Sequence, residues 1–361
     1  MKNRIISVDI FRGLTIVLMI LVNTPGTWSN VYAPFLHAKW HGYTPTDLVF
    51  PFFLFIVGTS IAFAYQKKKG TTATYKKITV RSLKLIGLGL FLGAFSIRFP
   101  FIKDFADIRF PGVLQRIGVV FFFAAILFIN FNGKTLIGIC AAFLVGYWLL
   151  MGYVPVEGME STFERAPNNL ANYIDVKVLG THNYKPDYDP EGLLSTIPSI
   201  ASSLLGIFTG LILTSKREKK ATILVGLGVI MLIVGYLWDI VFPINKALWS
   251  SSFVMVTAGW ANIFLALIYY LSDVKGLKFG SIFKYAGANA ITVYFLSSFV
   301  SKIMGMIKVD DTSLHGWLFQ NIYVHDFMAM ELSSLLYGLT VVSFYMLLAY
   351  IMYRKKIFIK V

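Results

Sequence analysis

The sequence predicts an all-α, polytopic integral membrane protein with about ten transmembrane helices. Of its 361 residues, 57% are hydrophobic and only 14% are charged, whereas a soluble domain is usually about 25% charged. The apolar residues come in blocks of roughly 20, the length that a helix needs to cross the hydrocarbon core of a bilayer. Lysines and arginines lie mostly between these blocks, as they do where basic residues set membrane topology.

Ten apolar blocks are predicted as membrane spans, and together they indicate one transmembrane domain over residues 1–361. The predicted spans are 8–24, 46–65, 82–99, 110–131, 135–153, 193–214, 221–240, 249–271, 282–303 and 329–353. With the N-terminus in the cytoplasm, the inner connectors and adjoining span ends hold 21 of the 33 lysines and arginines. Basic runs at 67–69 and 216–220 dominate this excess, which predicts that both termini are cytoplasmic.

The first span follows a basic start, MKNR, and lacks a small-x-small cleavage site. We interpret it as an uncleaved helix rather than a secretory signal. The single cysteine, Cys140, lies inside an apolar block, so no disulfide framework is expected. The net charge of +15 would suit nucleic acid, but its concentration in the connectors indicates topology instead. No nucleic-acid partner is therefore expected.

Two predicted outer loops, 25–45 and 154–192, are longer than topology requires. Loops of this length in a compact protein are usually functional or disordered. The tyrosines of the second loop and its start are suited to stacking on a sugar, but an interfacial aromatic belt explains them equally well. These residues are Tyr153, Tyr173, Tyr184 and Tyr188.

Titratable residues at a membrane edge are costly, so each is a functional candidate. Asp9 and Arg12 are three residues apart on the first span, a spacing that lets them pair on one helix face. Either they form a local ion pair that anchors the helix end, or Arg12 helps to hold an anionic ligand from the cytoplasm. Asn23 ends the same span just before the helix-breaking TPG, where it is either a cap or a site residue.

The segment LHAKWHGYTPTDLVFPFFLF, residues 36–55, places two histidines and an aspartate at the mouth of the second span. Histidine is the side chain best suited to move protons near neutral pH. A carboxylate that accepts its second N–H fixes the tautomer and raises its basicity. His37 and Asp47 are therefore a candidate base and its orienting partner, although a solvated His37 and an Asp47 that only caps the helix also fit the sequence.

Further polar residues lie within or beside the later spans. Arg116 lies about 9 Å into the fourth span, at 1.5 Å per residue, where an arginine needs a carboxylate, a phosphate or water. The others are Glu191 at the start of the sixth span, Asp239 at the end of the seventh, Lys246 on the turn that follows, and Asn289 inside the ninth. Several of these lie towards the outer half, which favours a site open to that side. There is no zinc-spaced Cys/His cluster, Walker loop or G-x-S-x-G elbow, so no metal is expected.

Six blocks of the sequence, in order from about residue 4 to about 296, together resemble one family. They are SVDIFRGLTIVLMILVN, HAKWHGYTPTDLVFPFFLFIVGTSI, RFPGVLQRIGV, PEGLLSTIPSI, FPINKALWSSSFV and GANAITVYF. They resemble heparan-α-glucosaminide N-acetyltransferases and their bacterial relatives, within the wider transmembrane acyltransferase superfamily. The resemblance implies transfer of an acetyl group from cytoplasmic acetyl-CoA to an amino sugar, such as a terminal glucosamine, on the outer side of the membrane.

By this resemblance the family's active histidine falls on His37, its partner aspartate on Asp47 and its asparagine on Asn23. His37 would be the general base, Asp47 would orient it, and Asn23 would stabilise the oxyanion. The chain has Trp40-His41-Gly42 where the family usually has W-N-G. His41 is therefore the less favoured catalyst and a candidate for acceptor recognition.

The resemblance also implies where the donor lies. The nucleotide of acetyl-CoA would stay near cytoplasmic basic residues, which suit phosphate as charged donors, while the pantetheine arm reaches towards the outer face. The candidate donor contacts are Asp9, Arg12, Arg81, Lys84 and Arg116. The candidate acceptor contacts are Trp40, His41, Glu191, Lys246 and Asn289.

Other functions fit the same chain. An O-acetyltransferase of cell-envelope glycans is the nearer alternative, and a sugar or anion transporter is the alternative from another class. The absence of any N-x-S/T sequon, and of the long lumenal region of the lysosomal enzymes, favours the plasma (inner) membrane of a bacterium. The expected partners are an amino sugar or glycan acceptor and the lipid bilayer. Two questions stay open: whether the chain forms a homodimer, and whether His37 is transiently acetylated during transfer.

Overall fold

The structure, a computed structural model, describes residues 5–67 and 70–359. The helices, in chain order, are α1 (Ile6–Asn23), α2 (Pro45–Tyr65), α3 (Thr72–Ala94), α4 (Val113–Asn130), α5 (Gly133–Tyr153), α6 (Leu170–Leu179), α7 (Thr196–Thr214), α8 (Lys220–Asp239), α9 (Ser251–Tyr269), α10 (Phe283–Ala288), α11 (Ala290–Met306), α12 (Leu314–Ile322) and α13 (Met330–Arg354). Short 3₁₀ turns cover Ala33–Phe35, Phe105–Asp107 and Gly180–His182, and a π turn, Tyr270–Val274, extends α9. Two short strands, β1 (Lys308–Val309) and β2 (Thr312–Ser313), pair antiparallel.

Eight helices within the described ranges are long and apolar enough to cross a membrane. They are α1, α2, α4, α5, α7, α8, α9 with its π turn, and α13. This confirms the predicted all-α, polytopic membrane class. The cytoplasmic position of both termini stays a prediction. The predicted inner segment 1–7, the basic run 67–69 and the tail after 353 lie partly outside the described residues.

The third and ninth predicted spans also coincide with helices, but their bounds differ. The predicted span 82–99 corresponds to α3, which begins ten residues earlier because Thr71 caps it, its side chain accepting from the Thr74 N–H. The ninth predicted span, 282–303, is two helices, because Asn289 leaves the helical conformation between α10 and α11. The second of these, α11, is apolar but shorter than the eight candidate spans.

α2 lies at the centre of the bundle, where it packs against α1, α4, α7 and α9. Its contact with α7 is backbone against backbone. A Cβ atom on Gly58 would lie 1.9 Å from the carbonyl oxygen of Ser203, and one on Gly206 would lie 2.0 Å from that of Phe55. Small residues allow this approach between helices in a membrane. The pair fixes the position of α2, and therefore of the residues at its two ends.

The connectors that follow α1, α5 and α8 meet at the N-terminal end of α2. The indole N–H of Trp40 donates to the carbonyl of Phe163 at 2.9 Å. The backbone N–H of Gly42 donates to the carbonyl of Ile244 at 2.7 Å. The two long loops predicted from the sequence are therefore joined to each other and to the turn after α8. The prediction that this end faces the outside is not tested by these contacts.

Candidate active site

A cavity of about 370 Å³ lies at the N-terminal end of α2, and we call it the first cavity. It lies within the usual range for small-molecule sites, roughly 300–1,000 Å³. Its wall combines the end of α1, the first turns of α2 and α4, and the connectors before α2, α4, α7 and α9. Six of the residues predicted from the sequence line it: Asn23, His37, Trp40, Asp47, Glu191 and Lys246.

Asp47 lies in the first turn of α2, where backbone N–H groups lack partners within the helix. Its Oδ2 atom accepts from the backbone N–H of Thr44 at 2.9 Å and from that of Ala38 at 3.0 Å. The side chain is 1% exposed. The capping role that the sequence suggested is therefore present, but it occupies one oxygen of the carboxylate.

The other oxygen of Asp47 holds His37. Its Oδ1 atom lies 2.6 Å from His37 Nδ1. Because an ionised carboxylate can only accept, Nδ1 carries the proton and Nε2 of the neutral ring is an acceptor. The His37 side chain is 44% exposed and lines the first cavity. A base whose tautomer is fixed by a buried carboxylate is suited to take a proton from a bound substrate.

Lys246, on the turn between α8 and α9, adds a positive charge to this pair. Its Nζ atom lies 3.0 Å from His37 Nδ1, 3.3 Å from His37 Nε2 and 3.5 Å from Asp47 Oδ1. Burial lowers the pKa of Lys246 below its ordinary value, although the carboxylates of Asp47 and Glu191 act in the opposite direction. The sequence grouped Lys246 with the acceptor contacts, and the structure places its ammonium directly beside the His37 ring.

Arg109 is a residue of the first cavity that the sequence analysis missed. It forms a two-pronged ion pair with Asp189, in which Nε lies 2.8 Å from Oδ2, and it also pairs with Glu191. Burial opposes its charge, but these two carboxylates raise the pKa of Arg109 above its ordinary value. Its guanidinium lies over the ring of Tyr184, 4.8 Å from the centroid. The one available signal was position, since Arg109 directly precedes FPG and Asp189 directly precedes PEG.

Glu191 was predicted to contact the acceptor; it lines the first cavity, and its carboxylate is paired within the protein. It pairs with Arg109 and is 8% exposed. Burial favours its neutral form, but Arg109, Arg116 and Lys246 together lower the pKa of Glu191 below its ordinary value. Glu191 is therefore a fixed negative charge in the wall of the first cavity.

Aromatic rings form one side of the first cavity. Trp40, Tyr184 and Tyr188 line it, and the rings of Trp40 and Tyr188 meet edge to face at 5.4 Å. Tyr173 lies outside the lining and bonds to Glu157 at 3.1 Å, and Tyr153 is 72% exposed. Two of the four tyrosines singled out in the sequence, Tyr184 and Tyr188, therefore line the first cavity, and stacking on a sugar stays a prediction.

Three of the predicted site residues, Asn23, His41 and Arg116, differ in whether they line the first cavity. Asn23 lines the first cavity and donates one amide N–H to the carbonyl of Met19 at 2.8 Å, and the amide group has a second N–H. His41 lies outside the cavity lining, with Nε2 3.1 Å from Glu164 Oε1. Arg116 also lies outside the lining of both described cavities and is 2% exposed.

Arg116 supports the backbone of the segment before α7 instead of reaching a donor ligand. It donates to the carbonyls of Pro190 at 3.0 Å and Gly192 at 2.9 Å, and to Ser195 Oγ at 2.5 Å. A buried guanidinium needs several acceptors, and here main-chain carbonyls provide them. The predicted donor contact is corrected accordingly: Arg116 positions Glu191 through the backbone on either side of it.

A second cavity, of about 850 Å³, lies at the opposite end of α1 and α2. Arg12 on this cavity and Asn23 on the first are eleven residues apart, about 16 Å along α1 at 1.5 Å per residue. Three predicted donor contacts line the second cavity, with two further lysines: Arg12, Arg81, Lys84, Lys76 and Lys77. A basic cavity of this size is suited to an anionic ligand.

The local ion pair that the sequence offered for Asp9 and Arg12 is present, and a contact from Arg12 to an anionic ligand stays a prediction. Arg12 NH1 lies 3.2 Å from Asp9 Oδ1, so the local ion pair forms. Arg12 NH2 donates to Ser60 Oγ at 2.8 Å, and Arg12 also lines the second cavity. Asp9 itself does not line the second cavity and contacts Arg12 through this ion pair.

Asn289 was expected at the acceptor, and the structure places it at the second cavity. Its Nδ2 donates to the carbonyl of Ile357 at 3.0 Å, and its Oδ1 accepts from the N–H of Ile359 at 3.0 Å. The side chain therefore fastens the C-terminal segment to the break before α11. This position differs from the expected one because a residue at the break of a split span lies near one end of that span, here the end that carries Arg12.

The two cavities approach each other along α2 and α4. Phe50 lines the first cavity and Phe53 the second, and Val113 lines the first and Ile117 the second. Each pair is three or four residues apart, which is about one helical turn or roughly 5–6 Å. A thin apolar layer therefore separates the two cavities.

Comparison with known proteins supports the resemblance noted in the sequence. The family model described as heparan-alpha-glucosaminide N-acetyltransferase, catalytic, matches residues 4–237. Relatives named heparan-alpha-glucosaminide N-acetyltransferase, from Mus musculus and Homo sapiens, are each 31% identical to this chain over an alignment of 424 residues. These alignments cover 99% of this chain, which spans 61% of the mouse protein and 60% of the human protein. The chain therefore belongs to the heparan-alpha-glucosaminide N-acetyltransferase family.

Proposed function

We propose that the protein is a transmembrane acetyltransferase that moves an acetyl group from cytoplasmic acetyl-CoA to the amino group of a glucosamine-type sugar on the outer side of a bacterial plasma membrane. The observation that carries the proposal is the His37–Asp47 pair, whose Nδ1 and Oδ1 atoms lie 2.6 Å apart at the first cavity. Membership of the N-acetyltransferase family supports the reaction type. The outer side and the bacterial membrane rest on the distribution of charge and on the absence of sequons in the sequence.

The second cavity is the proposed site of the nucleotide half of acetyl-CoA, which is a substrate here. Five arginines and lysines line it, and such side chains bind phosphate through charged hydrogen bonds. The pantetheine arm would cross the thin apolar layer between Phe50 and Phe53 and bring the thioester to the first cavity. The acetyl group would then change sides without passage of either whole substrate.

In the first cavity His37 Nε2 would take a proton from the acceptor amine as its nitrogen attacks the thioester carbonyl. Asp47 keeps the other ring proton on Nδ1 and stabilises the positive ring. The second amide N–H of Asn23 would donate to the oxyanion of the tetrahedral intermediate. Collapse breaks the carbon–sulfur bond, and the leaving thiolate takes the proton from Nε2, which restores the neutral ring. A route through acetylated Nε2 needs the same histidine.

The test is a transfer assay with purified protein, labelled acetyl-CoA and a panel of hexosamines, with the position of the label found by mass spectrometry. We expect His37→Ala to reduce transfer by at least about 100-fold, the usual contribution of a general base. His325→Ala, at an exposed histidine, is the matched control and should keep wild-type transfer. A His37→Ala variant with near wild-type transfer would overturn the assignment, and label on a hydroxyl would indicate an O-acetyltransferase.

Two cavities placed end to end also fit a transporter of a sugar or an anion. Thermal stabilisation separates the two functions, because a ligand that binds only the folded protein raises its apparent stability. We expect coenzyme A to raise the melting temperature. No shift with coenzyme A and a shift with a free sugar would favour transport.

A further inference from the structure

We propose that Lys246 is a positioning residue for His37: its ammonium disfavours the imidazolium form and so keeps the ring available as a base. The inference rests on the proposed function and deepens it. Lys246 lies in the block FPINKALWSSSFV that resembles the family, and its role at His37 is inferred from the distances between the side chains.

The distances show how Lys246 approaches the ring. Its Nζ atom is almost equally far from the two ring nitrogens, 3.0 Å from Nδ1 and 3.3 Å from Nε2. The lone pair of Nε2 points away from Nδ1, so an ammonium on that lone pair would be much farther from Nδ1 than from Nε2. Lys246 therefore flanks the ring and leaves the lone pair of Nε2 directed elsewhere. Its influence on His37 is one of charge.

Asp47 and Lys246 have opposite effects on the protonation of the His37 ring. A buried carboxylate in contact with an imidazole favours the imidazolium form, and Asp47 is 1% exposed and 2.6 Å from the ring. Asp47 by itself shifts the ring towards this form, and Lys246 acts in the opposite direction. Lys246 lies 3.5 Å from the carboxylate and balances it. The three groups are together neutral while His37 is neutral, and a second proton on the ring leaves two adjacent cations.

Other charged groups line the first cavity from the connectors before α2, α4 and α7. They are Lys39 on the connector of His37, Arg109 before α4, and Lys185 and Glu191 before α7, with the phenols of Tyr184 and Tyr188. Arg109 and Glu191 are paired with each other, and Lys185 lies 5.2 Å from the centre of the Tyr184 ring. In the described part of the chain, Asp47 and Lys246 are the charged groups whose contact with the ring is within hydrogen-bond distance. The balance at His37 is therefore set chiefly by these two.

The test follows the titration of His37 by NMR in histidine-labelled protein, with His37→Ala assigning its signal among the five histidines. We expect Lys246→Met to raise the titration midpoint of His37 by about one pH unit or more, the size expected for removal of an adjacent charge near a surface. The sign follows because loss of a nearby cation favours the imidazolium form. The acidic limb of kcat/KM should move to higher pH by the same amount, so activity falls most at low pH and recovers as pH rises.

Two variants serve as controls. Lys246→Arg keeps the charge and should leave the midpoint close to that of the wild type. Lys185→Met removes a positive charge from the same cavity without a contact to the ring, and its shift should be much smaller. Lys246→Gln is a second neutral variant if the methionine variant does not fold.

Two results would overturn the inference. One is a wild-type midpoint in both neutral variants, and the other is a fall in activity at all pH values with an unmoved midpoint. The second result would assign Lys246 to binding the acceptor or the oxyanion. Failure of the proposed function is recognised separately, because the wild type would then transfer no acetyl group, while the NMR titration would still report on Lys246.

Discussion

The two ends of the bundle build their cavities in different ways. The first cavity is assembled from connectors and helix ends, and four of its side chains form two pairs, His37 with Asp47 and Arg109 with Glu191. The second cavity is lined mainly by helices, and four of its five cations lie along α3, at positions 76, 77, 81 and 84. Paired charges hold each other in one geometry, whereas a row of cations attracts a charged ligand. The difference favours chemistry at the first end and binding at the second.

The largest expected effect tests the first end. Asp47→Asn keeps the shape of the side chain but lets Nδ1 of His37 lose its fixed proton, and the variant should transfer acetyl groups at least about 100-fold more slowly. Binding of coenzyme A, measured by calorimetry, should be unchanged because the second cavity lies at the other end of α2. Asp104→Asn, at an exposed carboxylate, should have neither effect. Equal loss of binding and transfer would contradict the separation of the two ends.

A smaller effect is expected at the second end. Arg81→Met and Lys84→Met should each weaken coenzyme A binding about tenfold, equivalent to roughly 1.4 kcal/mol for one charged contact. The effect should shrink at high salt, and the rate at saturating acetyl-CoA should change little.

The matched variants for the second end are Arg98→Met and Lys103→Met, because these cations lie on the connector between α3 and α4 and outside the second cavity. They should bind coenzyme A as the wild type does. Unchanged binding in the α3 variants would mean that the second cavity does not hold the donor nucleotide.

The same difference explains how much the sequence could predict. Arg81 and Lys84 were predicted as donor contacts because basic residues on the predicted cytoplasmic side suit phosphate, and both line the second cavity. The contacts of the first cavity join residues far apart in the chain: Lys246 and His37 are 209 positions apart, and Arg109 and Asp189 are 80. No periodicity encodes such contacts, which depend on how the connectors fold over the helix ends.

Three residues show the limit of prediction from the sequence. His37 and Asp47 were candidates because of their chemistry, and the sequence left open whether Asp47 only caps the helix. In the structure one carboxylate oxygen of Asp47 caps the helix and the other contacts His37. Arg116 was predicted to need a carboxylate, a phosphate or water, and its partners are two main-chain carbonyls and the Ser195 hydroxyl, which its position in the sequence does not reveal. The positions of costly polar residues were therefore informative, while their partners came from the fold.

The smallest expected effect concerns the contact between Asn289, at the break before α11, and the C-terminal segment. Asn289→Ala removes both hydrogen bonds to Ile357 and Ile359. The freed backbone groups lie in an exposed segment and can bond to water, so the net loss is about 1 kcal/mol. Because Ile359 lines the second cavity, coenzyme A binding should weaken about fivefold, which is the same free energy.

Limited trypsin digestion should also cut faster after Lys355 and Lys356 in Asn289→Ala, and coenzyme A should slow that cleavage less than in the wild type. Asn321→Ala, which removes an exposed hydrogen bond within α12, should leave both measurements unchanged. If Asn289→Ala also leaves coenzyme A binding and trypsin cleavage unchanged, the C-terminal segment takes no part in the second cavity. Helices alone then build that end. If binding falls as expected, even the helical end depends on a contact between residues about 70 positions apart, which the spacing of charges along α3 does not reveal.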